Sequence, residues 1–373
     1  MKIAIACYPT HGGSGVVASE LALGLARRGH QIHIVSYAVP FRLRSFHPSV
    51  RVHEVEVSTY PLFKYPPYTL GLATKLAEVA SEENIDLVHA HYAVPHAVSA
   101  FLAKQIAGGA PRIITTLHGT DITLVGADRA FHRVIRFALE VSDGVTAVSK
   151  YLERRTVREF AIERPIEVIY NFVDSERCRR ANGTGAQRSP WARPEERILL
   201  HASNFRPLKR VGDVVRVFAR VRKEIPARLL LVGEGPDRPL AQQLARELGI
   251  SDEVHFVGEQ DYIESMLACA DLLLLPSEEE SFGLVALEAM SCEVPVIASR
   301  VGGLPEVVLH GETGFLLGVG EVEAMAEAAL RLLRDDALRE RFGRRGREWA
   351  LERFNAANII PQYERYYERV LKS

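Results

Sequence analysis

Short apolar runs alternate with helix-patterned segments from the first residue of this chain, and the series begins a second time near residue 198. The first series has runs at 2–7 (KIAIAC), 31–37 (QIHIVSY), 50–57 (VRVHEVEV), 86–91 (DLVHAH), 112–117 (RIITTL) and 144–148 (GVTAV). The second opens at 198–202 (ILLHA) and continues at 228–232 (RLLLV), 253–257 (EVHFV), 271–275 (DLLLL) and 294–298 (VPVIA). The first helical pattern runs from about Val16 to Arg28 and stops at Gly29. Strands of nearly unbroken apolar character, joined through helices, predict parallel sheets covered on both faces. A chain of 373 residues exceeds the usual size of a single core, so the restart predicts two doubly wound, Rossmann-like α/β domains with a cleft between them. The predicted domains are 1–168 and 169–354. The helical tail 355–373, carrying Tyr363, Tyr366 and Tyr367, is expected to pack back on the first. A stretch rich in Gly, Asn, Ser and Pro at 182–194 reads as a surface insertion.

Composition narrows the function. A formal net charge of −1 provides no global field to gather nucleic acid or an anionic membrane. No apolar stretch approaches the ~20 residues that span a bilayer, and the opening run IAIA is too short for a signal peptide. Cys7, Cys178, Cys269 and Cys292 have neither metal-type pairing nor a disulfide framework. Buried thiols in a reducing compartment, and hence a cytoplasmic protein, are expected.

In open parallel sheets, ligands bind beyond the carboxyl ends of the strands, so the loops there hold the candidate residues. HGGSG at 11–15 follows a strand and opens a helix, where glycines admit a ligand and free N–H groups face an anion. Its spacing is not the dinucleotide fingerprint, and a tight turn alone would also call for glycine. SNFRPLKR at 203–210 places Arg206 and Lys209 where a diphosphate would need neutralising, although a solvated basic turn is the common alternative. EEESFGLVALEAM at 278–290 sets Glu288 inside an apolar helix, where a lone carboxylate is costly unless a ligand pairs with it. The dipole of the helix accounts for Glu278 and Glu279 but not for Glu288.

HYAVPH at 91–96 and TLHGTD at 116–121 are polar loops in the same position. Their histidines, with His89, have no metal-ligand spacing and no carboxylate cluster to complete a site, so no metal is expected. His89 and His96 read as ordinary hydrogen-bonding residues, and His118, beside Gly119, as the candidate for a substrate contact. YPLFKYPPY at 60–68 reads either as a stacking platform or as core, and the arginines of 339–347 as a solvated helix face.

Glu280 and Glu288 bracket ESFGLVALE, which resembles the E-x7-E signature of retaining glycosyltransferases with two facing Rossmann-like domains (the GT-B fold). GGLPEVV at 302–308 and HGETGFLL at 310–317 resemble the same family. CYPTHGGSG, PFRL, TYPLFKYPPY, HAHYAVPHA, TTLHGTDIT, IYNF and SNFRPLKR are similar to the branch that glycosylates L-malate in bacillithiol biosynthesis. His11 and Glu293 depart from that pattern. The resemblance implies UDP-N-acetylglucosamine as donor, L-malate as acceptor, and retention at the anomeric carbon. It implies that Glu288 holds the donor ribose, that Arg206 and Lys209 stabilise the diphosphate, and that Glu280, Phe282, Gly283 and Leu284 contact sugar and phosphate. Asn204 joins that donor set, and Gly13 is expected to approach the diphosphate. Ser14, Tyr92, Thr116 and Arg136 form the implied malate set, with Arg136 facing a carboxylate, and His118 lies near the transferred sugar. The implied catalytic residues are therefore His118, Arg206, Lys209 and Glu280.

No carboxylate stands out as a nucleophile, so front-face attack is expected, with the departing phosphate taking the acceptor proton. The partners expected are two small molecules, with no cofactor, no nucleic acid and no stable membrane association; a homodimer is compatible with the resemblance. The residues leave open a related transferase with a sugar, polysaccharide or lipid acceptor, a UDP-sugar epimerase, or a silent binding protein.

Overall fold

Val, Ile, Leu and Ala fill the predicted strands, and most of those residues are wholly buried because helices cover both faces of the sheets they form. The computed structural model describes all residues except 11, 58–61, 63, 124, 125, 127, 181–187 and 189. The chain divides into two units, Met1–Asn171 with Ala357–Ser373, and Phe172–Ala356.

The first unit holds seven parallel strands: β1 (Lys2–Ala6), β2 (Gln31–Ser36), β3 (Val50–Glu54), β4 (Leu87–His91), β5 (Arg112–Leu117), β6 (Gly144–Ala147) and β7 (Glu167–Val168). Their lateral order is β3-β2-β1-β4-β5-β6-β7. The second unit holds β8 (Arg197–Ala202), β9 (Ala227–Val232), β10 (Val254–Gly258), β11 (Leu272–Leu275), β12 (Val296–Ser299) and β13 (Gly314–Leu317). Its order, β10-β9-β8-β11-β12-β13, repeats the pattern of the first sheet. In both sheets the chain reverses its direction of travel beside the first strand. Loops after β1 and β4, and after β8 and β11, therefore leave toward opposite faces and open a crevice at the strand ends.

Three local features differ from the expectation. The first helix starts at Gly13, not near Val16, because the Gly12 carbonyl already accepts the N–H groups of Gly15 and Val16. Residues 314–317, read only as part of a family motif, form the edge strand β13, with Gly314 opposite Val296. The arginines of 339–347 are not all solvated. Arg339 is buried beside Asp271 and Asp336, and Arg347 donates to the carbonyls of Cys178 and Ser291.

The last helix, Ala356–Lys372, buries Ile359, Ile360, Tyr363, Tyr366, Tyr367 and Val370 at helical spacing. Its tyrosines carry polar tips into the first sheet. Tyr366 donates to the Val145 carbonyl at 3.1 Å, and the Tyr367 hydroxyl meets His89 Nδ1 at 2.7 Å. At the helix surface Glu364 binds Arg28 and His30. A buried hydrogen bond left half-made costs roughly 1–3 kcal/mol. Tyr367→Phe strands His89 Nδ1 and should destabilise the first unit by that amount in urea unfolding. No change would mean that the helix contributes packing alone.

Candidate functional site

In the second unit the site grows from the end of β8. His201, fully buried, donates from Nδ1 to the Leu274 carbonyl on β11 at 2.9 Å and accepts the Ser203 hydroxyl at Nε2, 2.8 Å away. Ser203 Oγ in turn accepts the Phe205 N–H at 3.2 Å. The turn carrying Asn204, Arg206 and Lys209 is thereby tied to two strands. Gly233, at the end of β9, closes against this turn with φ +117°, and a Cβ there would lie 1.9 Å from the Ser203 carbonyl oxygen. Only glycine fits that approach.

The Glu278 N–H donates to the Leu208 carbonyl at 2.8 Å, which brings the loop after β11 against the turn after β8. Lys209 Nζ meets Glu280 Oε2 at 2.6 Å, with both side chains largely buried. Arg206 and Asn204 are exposed, and Arg206 has no ion pair among the described residues. Phe282 and Gly283 are buried, and Leu284 begins the helix Leu284–Ser291, which carries Glu288 at 7% exposure. Burial, with Glu288 nearby, pushes the Cys292 thiol up to about 12. Gly302, with φ +57°, clamps the loop from outside: its Cβ would lie 1.8 Å from the Glu280 carbonyl oxygen, which accepts the Gly303 N–H at 2.9 Å.

In the first unit the site lies at the ends of β1, β4 and β5. Gly13 is exposed at the helix start, and Ser14 Oγ accepts the Tyr92 hydroxyl at 2.8 Å. Tyr92 sits at φ +90°, a conformation that costs a bulky residue about 1–3 kcal/mol. Its N–H donates to the Thr116 carbonyl at 3.0 Å, which helps to hold it there. Burial pushes its phenol up to about 12. His118 packs on Tyr92 at 5.2 Å between ring centroids and shares a 2.8 Å hydrogen bond with His91. Asp121, 1% exposed, draws these loops together by accepting the Gly119 N–H at 2.9 Å and the Ala93 N–H at 3.3 Å.

Ser14, Tyr92 and His118 are thus brought together, but two members of the malate set are not. Thr116 is wholly buried, and its hydroxyl meets His89 and Thr146, each at 2.6 Å. It supports the site from beneath, because a β-strand side chain bonded inside the sheet cannot also face a ligand. Arg136 is half-exposed and holds Glu140 at 2.8 Å one helical turn away; among the described residues no hydrogen bond joins it to Ser14 or Tyr92. His89 makes the hydrogen bonds expected of it, whereas neither ring nitrogen of His96 has a partner among the described residues. His11, and Tyr60 and Phe63 of the aromatic stretch, lie outside the described residues, as does most of the insertion.

Sequence reading missed Tyr8 and Tyr37, whose rings lie 6.4 Å apart; Tyr8 also packs on Tyr92 and His96. Each directly follows or ends a strand run, which is the signal that marks a crevice residue. Gly233 was missed as well, with VGEG after a strand as its trace, while Asp121 and Gly302 lie in TLHGTD and GGLPEVV, which were singled out without a role for either residue.

Two family models match the chain: Glycosyltransferase Family 4 over residues 11–177 and Glycosyl transferases group 1 over residues 185–349. The N-acetyl-alpha-D-glucosaminyl L-malate synthase of Bacillus anthracis is 49% identical over 372 residues, covering 100% of this chain and 98% of that protein. Among solved structures, Anabaena HepE in complex with UDP and glucose superposes with a TM-score of 0.84 at 23% identity, covering 99% of each chain. Sucrose-phosphate synthase from Thermosynechococcus elongatus gives a TM-score of 0.83 at 24% identity, covering 100% of this chain and 99% of its own. These two likenesses show the fold: paired parallel α/β domains of the GT-B type.

Two outcomes follow from the geometry. Gly302→Ala combines a backbone clash with a positive φ and should cost at least about 2 kcal/mol in thermal unfolding. Normal stability would show that the loop yields freely. The second concerns acid. Burial holds His89 at about 3 and His96 and His201 at about 4, with His91 also well below the usual imidazole value of 6.5. Each binds fewer protons folded than unfolded, so stability present above pH ~6.5 is lost as pH falls toward 4. Asp121, raised by burial to about 6, acts in the opposite sense, favouring the folded state at low pH and giving that up as pH rises through 6. Four imidazoles outweigh one carboxyl, so the melting temperature should drop between pH 6.5 and 4.5. A flat or rising profile would contradict the buried neutral histidines.

Proposed function

The chain belongs to the glycosyltransferase family, matching its group 1 and family 4 models, and on that premise we propose that it transfers N-acetylglucosamine from UDP-N-acetylglucosamine to the hydroxyl of L-malate. The products are GlcNAc-α-L-malate and UDP, as in the first step of bacillithiol synthesis. The observation that carries this reading is the 49% identity, across the whole chain, to a relative named for that synthesis.

The second unit is the donor holder. Glu288 accepts from the ribose hydroxyls, while Arg206 and Lys209 neutralise the diphosphate with help from the N–H groups at Gly283 and Leu284. Asn204, Glu280 and Phe282 complete the donor contacts. The first unit is the acceptor holder, with Ser14 and Tyr92 contacting malate, Arg136 its proposed carboxylate partner after a side-chain movement away from Glu140, and Thr116 holding Tyr92 through its carbonyl. His118 lies beside the transferred sugar, and Gly13 offers the open helix start.

Retention follows from front-face attack. The bond from the anomeric carbon to the diphosphate oxygen breaks as the bond to the malate oxygen forms on the same face. The malate proton passes to the departing diphosphate oxygen. Charge building on that oxygen is stabilised by Arg206 and Lys209, which take the place that a divalent ion fills elsewhere. The four cysteines are buried thiols without disulfides, which supports a cytoplasmic location, and no helix among the described residues is long and apolar enough to cross a membrane.

The decisive assay is UDP release from UDP-N-acetylglucosamine with and without L-malate, with the product weighed by mass spectrometry. Malate-dependent release that persists in EDTA, with a sugar–malate adduct, is the expected result. Arg206→Ala should reduce kcat by about 100-fold or more, as loss of a charge-stabilising donor does. Donor binding without malate-dependent turnover would discard the acceptor.

A further inference from the structure

His91 ends β4 and His118 follows β5, and His91 Nδ1 lies 2.8 Å from His118 Nε2. Burial holds both rings neutral, His118 at about 3 and His91 well below its ordinary value. Two neutral imidazoles joined in this way share one proton across the bond, so one nitrogen donates and the other accepts. The remaining nitrogens decide which.

His91 is wholly buried, and its Nε2 has no partner among the described residues. A proton on that nitrogen would be a buried N–H with nothing to receive it, the rarest kind of unsatisfied group in folded proteins. A bare lone pair is tolerated better there. The His91 proton therefore belongs on Nδ1, donated to His118 Nε2. His118 must then carry its own proton on Nδ1, the ring nitrogen with no protein partner among the described residues, on a half-buried ring beside Tyr92.

The arrangement is braced from behind. The His91 ring lies against His89 at 4.4 Å, and His89 is fixed at both nitrogens, by Tyr367 at 2.7 Å and by Thr116 at 2.6 Å. Thr116 is tied in turn to Thr146 at 2.6 Å. A ring pinned on one face by such a network has little freedom to turn over and exchange its nitrogens.

We infer that His91 is a positioning residue that sets the tautomer of His118, so that His118 presents an Nδ1–H donor, and not a base, to a ligand oxygen. The ligand chemistry that fits is a hydroxyl or phosphate oxygen accepting one hydrogen bond. A group with its proton already in place cannot take the acceptor's proton, which leaves that proton to the departing diphosphate. The inference rests on the glycosyl-transfer reading for its ligand, but the tautomer itself does not depend on it.

The first test is spectroscopic and uses the full chain without ligand. With ¹⁵N-labelled histidine, long-range ¹H–¹⁵N correlations identify the protonated nitrogen of each ring, and His118→Gln assigns the His118 signals. The expected pattern is Nδ1–H for both His91 and His118; a proton on His118 Nε2 would overturn the inference. The second test is kinetic. His91→Asn keeps an N–H near the Nδ1 position and should retain kcat within about threefold. His91→Leu removes the donor and should lower kcat about tenfold with little change in the KM for donor, the size of one hydrogen bond lost at the transition state. Equal losses in the two variants, or a loss confined to KM, would overturn the inference. Failure to find malate as acceptor would count against the function proposed above, while the spectrum would still decide the tautomer.

Discussion

Everything functional in this protein depends on where its two parallel sheets change direction. Beside β1 in the first unit, and beside β8 in the second, successive strands are laid down first on one side and then on the other. The loops that follow the flanking strands cannot cover one another, and the backbone N–H groups at those strand and helix ends are left open. Ser14 and Tyr92 come from one such divergence; Lys209 and Glu280 come from the other. Neither pair is close in sequence, and each meets only because the sheet order reverses there.

Open crevices need rigid floors, and here the floors are polar and buried. Beneath the first, His89, Thr116, Thr146 and Tyr367 form a chain of hydrogen bonds, each no longer than 2.7 Å, with no access to solvent. Beneath the second, His201 links Ser203 to Leu274 and fixes the turn after β8 to β11. An apolar floor would pack as well but would not fix the height and orientation of the loops above it. Once made, a buried hydrogen bond tolerates little displacement, because losing it strands a desolvated group. The histidines in these floors stay neutral for the same reason, and acid undermines them first.

Much of this was legible from residue order. The runs KIAIAC and ILLHA open two parallel sheets, and the loops after them are where the polar residues lie. The crossing partners were not legible. Tyr367 meets His89 across 278 residues, and nothing in HAHY or in the tail announces the contact. Thr116 reads as a loop-facing residue because TTLHGTD is polar, yet it still belongs to β5, where His89 and Thr146 hold its hydroxyl, while His118 lies past the end of the strand. Arg347 reads as solvated because its neighbours are charged, but a helix presents one side inward, and there it satisfies the carbonyls of Cys178 and Ser291. Gly233 and Gly302 left a trace in VGEG and VGG, but the carbonyls they make room for, those of Ser203 and Glu280, are distant in sequence or on another loop. The short β13 was hidden because four residues beginning with glycine carry too little pattern to mark a strand.

Lys209 and Arg206 share a turn but meet an anion on different terms. Lys209 is already neutralised by Glu280 at 2.6 Å, in a setting where both side chains are mostly shielded from water. Its charge attracts little at long range, but its position is fixed before any ligand arrives. Arg206, exposed and without an ion pair among the described residues, carries its charge in open water. In the proposed donor site, attraction of the diphosphate therefore falls chiefly to Arg206, and placement to Lys209. Glu280 then has two effects that oppose one another: it holds Lys209 in place, and it would repel the phosphate proposed for Lys209. The conflict is resolved if the second carboxylate oxygen of Glu280 accepts a hydroxyl from the sugar, which turns a repulsive group into a bound one. On the proposed reading, tight donor binding then requires both sugar and diphosphate, because UDP alone would bring the repulsion without the sugar hydroxyl that offsets it.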